Sequence, residues 1–186
     1  MTTTSHRVIM TGKLIRLREK QIGDARRDWE WRRDPELAAY DAARPLAMSY
    51  RAFVSTMSED LQFTSAYRRS FAIEELAEHR HIGNVMYYGY DSMLREAELG
   101  ITIGDRDYWS RGYGTDAVSL MLRYLFTERD LRRVYLHTLS WNHRAQAAFR
   151  NAGFRHVKPV HRDGHDFEQM EIRREEMGDL DAMPRE

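Results

Sequence analysis

The sequence predicts an α/β domain built on a mixed, mostly antiparallel sheet with helices on both faces. Two features of the chain lead to this prediction. Strand-like runs separated by polar turns recur in the first half, as in antiparallel sheets, and a strand–helix–strand unit follows, as in parallel pairs. The 186 residues, 42% of them apolar, suffice for one domain with a sizeable core.

The chain opens with a strand and a helix. Residues 13–18 alternate apolar and basic side chains, which is the period of a strand. Asp24 is placed to cap a helix that runs to Arg33. The pair Asp34-Pro35 ends or kinks that helix, because proline disfavours helical geometry in the residue before it.

A second helix and three strands follow. Residues 49–62 place apolar side chains at every fourth position, which predicts an amphipathic helix. The runs 69–74 and 81–90 are joined by polar residues and predict a hairpin. In 97–103 apolar residues alternate with polar or small ones, so the two kinds occupy opposite faces of a strand.

The second half begins with a helix over 115–129, which carries an apolar stripe, and a strand over 134–140. A short helix over 142–152 comes next. Asn142 is a favourable N-cap for it, and Gly153 is favourable just past its C-terminal end.

A hairpin closes the domain, with strands at 155–161 and 167–173 around the turn Asp163-Gly164. We therefore expect the folded domain to span residues 13–174. The remaining residues, 1–12 and 175–186, are expected to be flexible termini.

Composition excludes several classes of protein. Lys+Arg and Asp+Glu both number 29, so no charge surplus attracts nucleic acid or an anionic membrane. Cysteine is absent, which excludes disulfides, thiolate metal sites and cysteine nucleophiles. The histidines are scattered, and the pair His79-x-His81 lacks further ligands, so no metal site is expected. No run is long enough for a membrane span, and residues 1–20 lack the apolar core of a secretory signal, which predicts a cytoplasmic protein.

The segment 108–117, YWSRGYGTDA, carries the most informative motif. Gly112 and Gly114 stand just before a predicted helix and let the backbone turn and a ligand approach closely. Successive N–H groups at a helix N-terminus, with the charge of Arg111 beside them, form a site for phosphate.

Three interpretations of this segment compete. In the first, the glycines serve only the geometry of the loop. In the second, Gly112-x-Gly114-x-x-Ala117 is a dinucleotide fingerprint. Two features disagree with it: residues 104–111 separate the preceding strand from the first glycine, which should follow that strand directly, and the next strand, 134–140, does not end in the acidic residue that binds a ribose. A Walker-type loop is excluded, because the chain has no Gly-Lys-Ser/Thr. The third interpretation rests on a family.

Three motifs, in their order and spacing, resemble the GNAT superfamily of N-acetyltransferases and, within it, the RimJ/RimL-like branch. They are Glu98-Leu-Gly-Ile-Thr-Ile-Gly, the segment 108–117, and Asn142-x-x-Ala145-x-x-x-Phe149-x-x-x-Gly153-Phe154. The resemblance covers roughly residues 13–173. Trp109 departs from the family pattern, because the pyrophosphate loop usually has Gln or Arg at its position.

The resemblance implies acetyl-CoA as co-substrate and a central splay between two parallel strands. The pyrophosphate would lie on the amides of the glycine loop, and the pantetheine arm would pair with unpaired backbone groups in the splay. A strand N–H near Ile101 would stabilise the oxyanion. The residues implied for coenzyme binding are Ile101, Thr102, Ile103, Arg111, Gly112, Tyr113, Gly114, Thr115, Asn142 and Phe149.

Glu98 is the candidate catalytic base. An amine with a pKa of ~10.4 is almost wholly protonated at pH 7, whereas an α-amine with a pKa of ~7.7–8.0 is about one-tenth neutral, so a basic acceptor needs a base. Glu98 shares a strand face with Gly100, which leaves space beside the carboxylate. The alternative is a structural carboxylate, in solvent or paired with an arginine.

The acid that protonates the leaving thiolate is not identified. Many GNAT members carry a tyrosine where this chain has Phe149. Tyr88, Tyr113 and Ser140 are substitutes among which the sequence does not select, and a thiol with a pKa of ~8.5 also leaves unaided. Asn142 has two interpretations, as helix N-cap and as coenzyme contact.

The sequence therefore predicts an acetyl-CoA-dependent N-acetyltransferase. Direct attack in a ternary complex is expected, since no cysteine is present for a covalent intermediate. The acceptor is a protein N-terminus, a polyamine or a small-molecule amine; no nucleic acid or membrane partner is expected, and a homodimer is left open. Two alternatives are a non-catalytic CoA-binding or regulatory module of the same fold and an arginine-rich nucleic-acid-binding domain.

Overall fold

The computed structural model describes residues 7–63 and 65–178. Its strands are β1 (Val8–Thr11), β2 (Ile15–Glu19), β3 (Arg69–Glu75), β4 (His81–Asp91), β5 (Glu96–Ile103), β6 (Arg133–Leu139), β7 (Arg155–Arg162) and β8 (His165–Arg173). They form one sheet in the order β1-β2-β3-β4-β5-β6-β8-β7. Within the described ranges β5 and β6 are the parallel pair, and the other neighbours are antiparallel. The predicted mixed, mostly antiparallel sheet is confirmed.

Helices cover both faces of the sheet. They are α1 (Ala25–Arg33), α2 (Pro35–Tyr40), α3 (Tyr50–Gln62), α4 (Tyr113–Thr127) and α5 (His143–Asn151). The main core lies between the sheet and α4, where Leu99 of β5 is buried. The neighbouring β5 residues Glu98 and Thr102 belong to the opposite face, because side chains alternate along a strand. Asp28 of α1 accepts a hydrogen bond on that second face from Asn84, the register partner of Thr102.

Helix α1 ends at Arg33, as predicted. The prediction that Asp24 caps it is wrong, because the Asp24 side chain makes no capping hydrogen bond and its carboxylate instead accepts hydrogen bonds from Arg18.

The proline after α1 does not end helical structure, because Pro35 is the first residue of the short α2. Proline suits this position, since the first helical N–H has no acceptor within the helix. The Asp34 carboxylate accepts hydrogen bonds from the N–H groups of Glu36 and Leu37, at 2.9 and 3.1 Å, and so caps α2.

Buried ion pairs hold α1 to the sheet. The Arg18 guanidinium is 2% exposed and contacts the carboxylates of Asp24, at 2.7 Å, and Glu74. Removal of one member would leave a charge buried without its partner, which is costly. A small apolar cluster between α1 and α3, built on Ala25, Phe53 and Met57, completes this contact.

Described parts of both segments that we expected to be flexible are ordered. Residues 8–11, which we expected to be flexible, form β1 and pair with β2. After β8 the chain makes a helical turn, Arg174–Glu176, and Met177 packs against the core. The rest of the predicted flexible termini, residues 1–6 and 179–186, lies outside the described residues.

Candidate active site

The sheet opens between β5 and β6. These parallel strands pair at three positions, and Glu98 opposite Tyr135 is the last. Beyond this point β5 continues to Ile103 and β6 to Leu139, so their facing edges carry backbone groups that are not paired across the gap. The predicted central splay is confirmed, and its vertex is at Glu98.

The start of α4 provides free backbone donors beside this gap. Gly112 adopts φ +89°, in the left-handed region that favours glycine. The Asp116 N–H donates to the Gly112 carbonyl at 2.9 Å. The N–H groups before it, of Tyr113, Gly114 and Thr115, have no hydrogen-bond acceptor among the described residues. We call these donors the amide cradle; the positive end of the helix dipole makes it suitable for an anion.

Gly114 differs from Gly112 in what the fold requires of it. Its φ is not in the left-handed region, and a Cβ atom built there meets only Ile103 Cγ1, at 3.9 Å. Neither the backbone nor the packing of the empty protein therefore demands glycine at position 114. A missing side chain at this point keeps the amide cradle open to a ligand.

A cleft of about 420 Å³ runs from the amide cradle to the part of β5 that is not paired with β6. Eight of the ten predicted coenzyme-binding residues line it: Ile101, Thr102, Ile103, Gly112, Gly114, Thr115, Asn142 and Phe149. The other two side chains are engaged within the loop. Arg111 donates to the Asp107 carbonyl at 2.9 Å, and Tyr113 packs edge-on against Tyr108. Of these two residues, Tyr113 contributes its N–H to the amide cradle, and the coenzyme contact of Arg111 stays a prediction.

Asn142 and Phe149 both have structural roles. The Asn142 side chain accepts a hydrogen bond from the Ala145 N–H at 3.2 Å, which confirms the predicted cap of α5. Phe149 is 5% exposed and packs edge-on against Phe154, in the core and at the wall of the cleft at once. Their contacts with a coenzyme stay predictions.

A cation at the rim of the cleft was missed by the sequence analysis. The Arg144 guanidinium lies 3.5 Å from the ring centroid of Trp109 and 4.7 Å from that of Tyr40. The Trp109 indole is fixed in turn, because its N–H donates to the Ile103 carbonyl at 2.7 Å. This stacking holds a positive charge next to the amide cradle, where phosphate groups would benefit from it. No spacing marks Arg144 among the many arginines of the chain.

Asp116 anchors the cradle to the sheet. Its carboxylate accepts hydrogen bonds from the N–H groups of Leu14, at 2.8 Å, and Ile15, at 3.1 Å. The first turn of α4 is therefore tied to the start of β2. This rigid attachment fixes where the free amides point.

Glu98 is buried and bonded to a histidine. A carboxylate oxygen of Glu98 lies 2.7 Å from Nδ1 of His137, and both side chains are 11% exposed. Its side-chain partner within the described residues is thus His137 rather than an arginine. The role of Glu98, catalytic or structural, stays a prediction. The sequence does not single out His137, because the pairing of β5 with β6 is not visible in it.

Tyr88 is the predicted acid substitute that lies beside Glu98. The two residues are directly opposite each other in the β4–β5 pair. Desolvation, the charge of Glu98 and a hydrogen bond to it raise the pKa of the Tyr88 hydroxyl. Tyr88 therefore stays protonated at neutral pH and acts as a hydrogen-bond donor to the carboxylate.

A second carboxylate stands on the same face as Glu98. Asp41, just after α2, lines the cleft, and one of its oxygens lies 3.4 Å from the Thr102 hydroxyl. Although the residue keeps contact with solvent, desolvation by the surrounding protein raises its pKa to about 6. The hydrogen bond from Thr102 and the charge of Arg32 oppose this shift without cancelling it.

Asp41→Asn is expected to raise the free energy of unfolding of the ligand-free protein, relative to the wild type, above about pH 6 but not below about pH 4. Folding raises the pKa of this carboxyl from 3.8 to about 6, so the folded state binds more protons than the unfolded state between those values. The wild type therefore loses stability as pH rises through this window, and the asparagine variant avoids that loss. Thermal unfolding at several pH values tests this, with the lowest pH as internal control; a gain that does not vary with pH would contradict it.

Comparison with known proteins agrees with this geometry. The family described as acetyltransferase (GNAT) domain matches residues 15–155. An uncharacterized N-acetyltransferase, p20 of Bacillus licheniformis, is 29% identical over 122 residues, which are 64% of this chain and 67% of that protein.

Solved structures share the fold. A spermidine N-acetyltransferase from Vibrio cholerae, in complex with CoA and spermine, superposes with a TM-score of 0.77 at 21% identity, covering 88% of this chain and 98% of that one. A GNAT-family acetyltransferase from Bacillus anthracis gives a TM-score of 0.75 at 16% identity, covering 89% and 98%. None of the described helices has the length and apolar character needed to cross a membrane.

Proposed function

The chain belongs to the GNAT acetyltransferase domain family, and from that premise we propose that it transfers an acetyl group from acetyl-CoA to a primary amine by direct attack in a ternary complex. One observation carries the proposal: a single cleft connects the free amides of the cradle to Ile101–Ile103, where the edge of β5 is not paired with β6. Within the family, we keep the RimJ/RimL-like branch as part of the proposal, together with a cytoplasmic location.

The chain's own residues suit an elongated, anionic thioester. The amide cradle and the Arg144 guanidinium would hold its diphosphate. Backbone groups of Ile101–Ile103 other than the Ile103 carbonyl, which accepts from Trp109, would pair with its amide-containing arm, since β5 has no strand partner there on the β6 side. An arm that enters at Ile103, beside the cradle, runs toward the vertex of the splay and brings the thioester to Glu98.

The polar face beyond the vertex suits a cationic acceptor. Glu98 and Asp41 both occupy the face of the sheet opposite α4, with Thr102 between them. Carboxylates attract an amine that is protonated in solution and can take up its proton or hold a second cation. Among the three acceptor classes, two carboxylates on one face support a polyamine, which carries several cationic amines, over a protein N-terminus or a neutral small amine.

The alternative is a non-catalytic CoA-binding or regulatory module. Phe149, in place of the tyrosine that many family members carry, favours it. The bonded Glu98–His137 pair at the vertex favours an enzyme, because a module that only binds CoA needs no buried acid–base pair there.

A thiol-release assay with acetyl-CoA and a panel of amines tests the proposal. We expect turnover with polyamines to exceed that with N-terminal peptides and with aminoglycosides. Calorimetry with CoA in the absence of amine accompanies the assay. CoA binding without turnover on any amine would replace the proposal by the non-catalytic module, and absence of CoA binding would overturn both.

A further inference from the structure

We propose that His137 takes the proton from the attacking amine, and that Glu98 is the positioning residue that holds its imidazole for this task. The inference rests on the proposed function and deepens it, because it reassigns the base from the carboxylate that the family resemblance suggests. It comes from three features of the chain: the bond between the two side chains, their place at the vertex, and the free second nitrogen of the ring.

The bond between the side chains fixes the tautomer of His137. A carboxylate only accepts hydrogen bonds, so the Nδ1 atom that lies 2.7 Å from Glu98 carries the proton. The neutral ring then has its lone pair on Nε2. No hydrogen bond from the described residues engages Nε2, and it is not among the polar atoms that are buried without a partner. Nε2 is therefore the atom of the pair that is open to an incoming proton.

The place of the pair matches where acetyl transfer would occur. Glu98 is in the last paired position before β5 and β6 separate, and His137 stands two residues beyond Tyr135, on the unpaired part of β6. The two side chains thus bridge the closed end of the splay. An extended ligand that follows β5 from Ile103 ends at this bridge, because the strands close beyond it.

Glu98 alone is less suited to take the proton. One carboxylate oxygen is bonded to His137, and Tyr88 acts as a donor to the same group. The oxygen that accepts the ring N–H is thus already engaged and is not free to receive a proton from an amine. A carboxylate in this position stabilises the imidazolium that forms when the ring takes the proton.

The acceptor reacts as the neutral amine, its ammonium form having first lost one proton to solvent. The amine nitrogen forms a bond to the thioester carbonyl carbon, the carbon–sulfur bond breaks, and the sulfur leaves with the electron pair. His137 Nε2 takes one further proton from the nitrogen, and the imidazolium returns it to the thiolate. The products are an acetamide and a free thiol, and Glu98 remains ionised throughout.

The charges around His137 define its expected pH dependence. Glu98 faces it from β5, Tyr135 lies beside it on β6 with ring centroids 6.0 Å apart, and Tyr88 faces Glu98 from β4. Arg162 of β7 acts on Tyr88 from farther away. Burial raises the pKa of both tyrosines, so they are neutral at physiological pH. A general base acts only in its unprotonated form, and we therefore expect kcat/KM to fall on the acid side of the pH profile.

The test compares His137→Gln and His137→Gly with the wild type. We expect His137→Gln to lower kcat by about 10²–10⁴-fold while the Kd for acetyl-CoA stays within about twofold. The acid limb of the pH profile should disappear in this variant. Imidazole added to His137→Gly should restore activity in proportion to its concentration, which a purely structural role of the ring would not produce.

His161→Gln is the matched control. His161 also bonds a carboxylate through Nδ1, that of Asp166 at 2.7 Å, but on the exposed hairpin of β7 and β8. Its loss should leave kcat and the pH profile unchanged. An active wild type whose His137 variants keep both kcat and the acid limb would overturn this inference and return the role of base to Glu98. Absence of transfer by the wild type on every amine would instead overturn the proposed function.

Discussion

Gly114→Val is expected to weaken acetyl-CoA binding by at least about 100-fold, the equivalent of about 2.7 kcal/mol, while the protein stays folded. A valine side chain at this position would fill the space above the amide cradle, where the diphosphate needs direct access to the N–H groups. The fold itself tolerates the change, because φ at Gly114 is ordinary and the nearest atom to a Cβ is 3.9 Å away. Calorimetry measures the affinity, and thermal unfolding measures the stability.

Gly114→Ala is the control for this prediction. Alanine adds a single methyl group, and the nearest atom to it is 3.9 Å away, so we expect a small loss of affinity together with a gain in stability of up to about 1 kcal/mol, since alanine is the better helix former. If affinity falls from glycine to alanine to valine while stability does not, the loss of binding is due to exclusion of the ligand and not to misfolding. Wild-type affinity in Gly114→Val would show that the diphosphate binds elsewhere.

The contrast between Gly112 and Gly114 shows how far a motif can be interpreted. Both glycines fit the phosphate-loop pattern, and the sequence alone predicts that Gly112→Val abolishes coenzyme binding with the fold left largely intact. The structure contradicts the expectation about the fold. Gly112 has φ +89°, so valine there strains the backbone whether or not a ligand binds. A dihedral angle of this kind is set by the path of the loop between two elements, and a two-glycine motif does not encode it.

Hydrophobic periodicity predicted most of the fold. Strands such as β5 and helices such as α4 bury one face, and burial imposes a period that survives in the sequence. The period also placed Glu98 on the face opposite α4. It did not predict β1, whose four residues are too short to show a period, or α2, which begins at a proline.

The contacts of the candidate site were less accessible from the sequence. The bond from Glu98 to His137 depends on the register between β5 and β6, which are joined through a helix and far apart in the chain. Arg144 and Asp41 reach the cleft from α5 and from the end of α2. Such residues belong to no sequence motif, because only tertiary packing brings them together, and their place in the site could not be predicted from their spacing in the chain.

Glu98→Gln is expected to lower kcat by about 10²–10⁴-fold with little change in coenzyme affinity. The amide removes the charge that would stabilise an imidazolium. It can also turn to donate a hydrogen bond to Nδ1 of His137, which would move the ring proton to Nε2 and leave no lone pair to accept a proton from the amine. Steady-state kinetics over a range of pH, with the Kd for acetyl-CoA measured separately, tests the prediction.

The double variant, Glu98→Gln with His137→Gln, decides how the two residues act. If Glu98 works through His137, the second substitution costs little once the first is present, so the combined loss in kcat stays close to the larger single loss. Two independent roles would instead multiply the losses. Because the side chains are in direct contact and both are nearly buried, thermal unfolding of all three variants must accompany the kinetics. An unaltered kcat and pH profile in Glu98→Gln would restrict this carboxylate to a structural role.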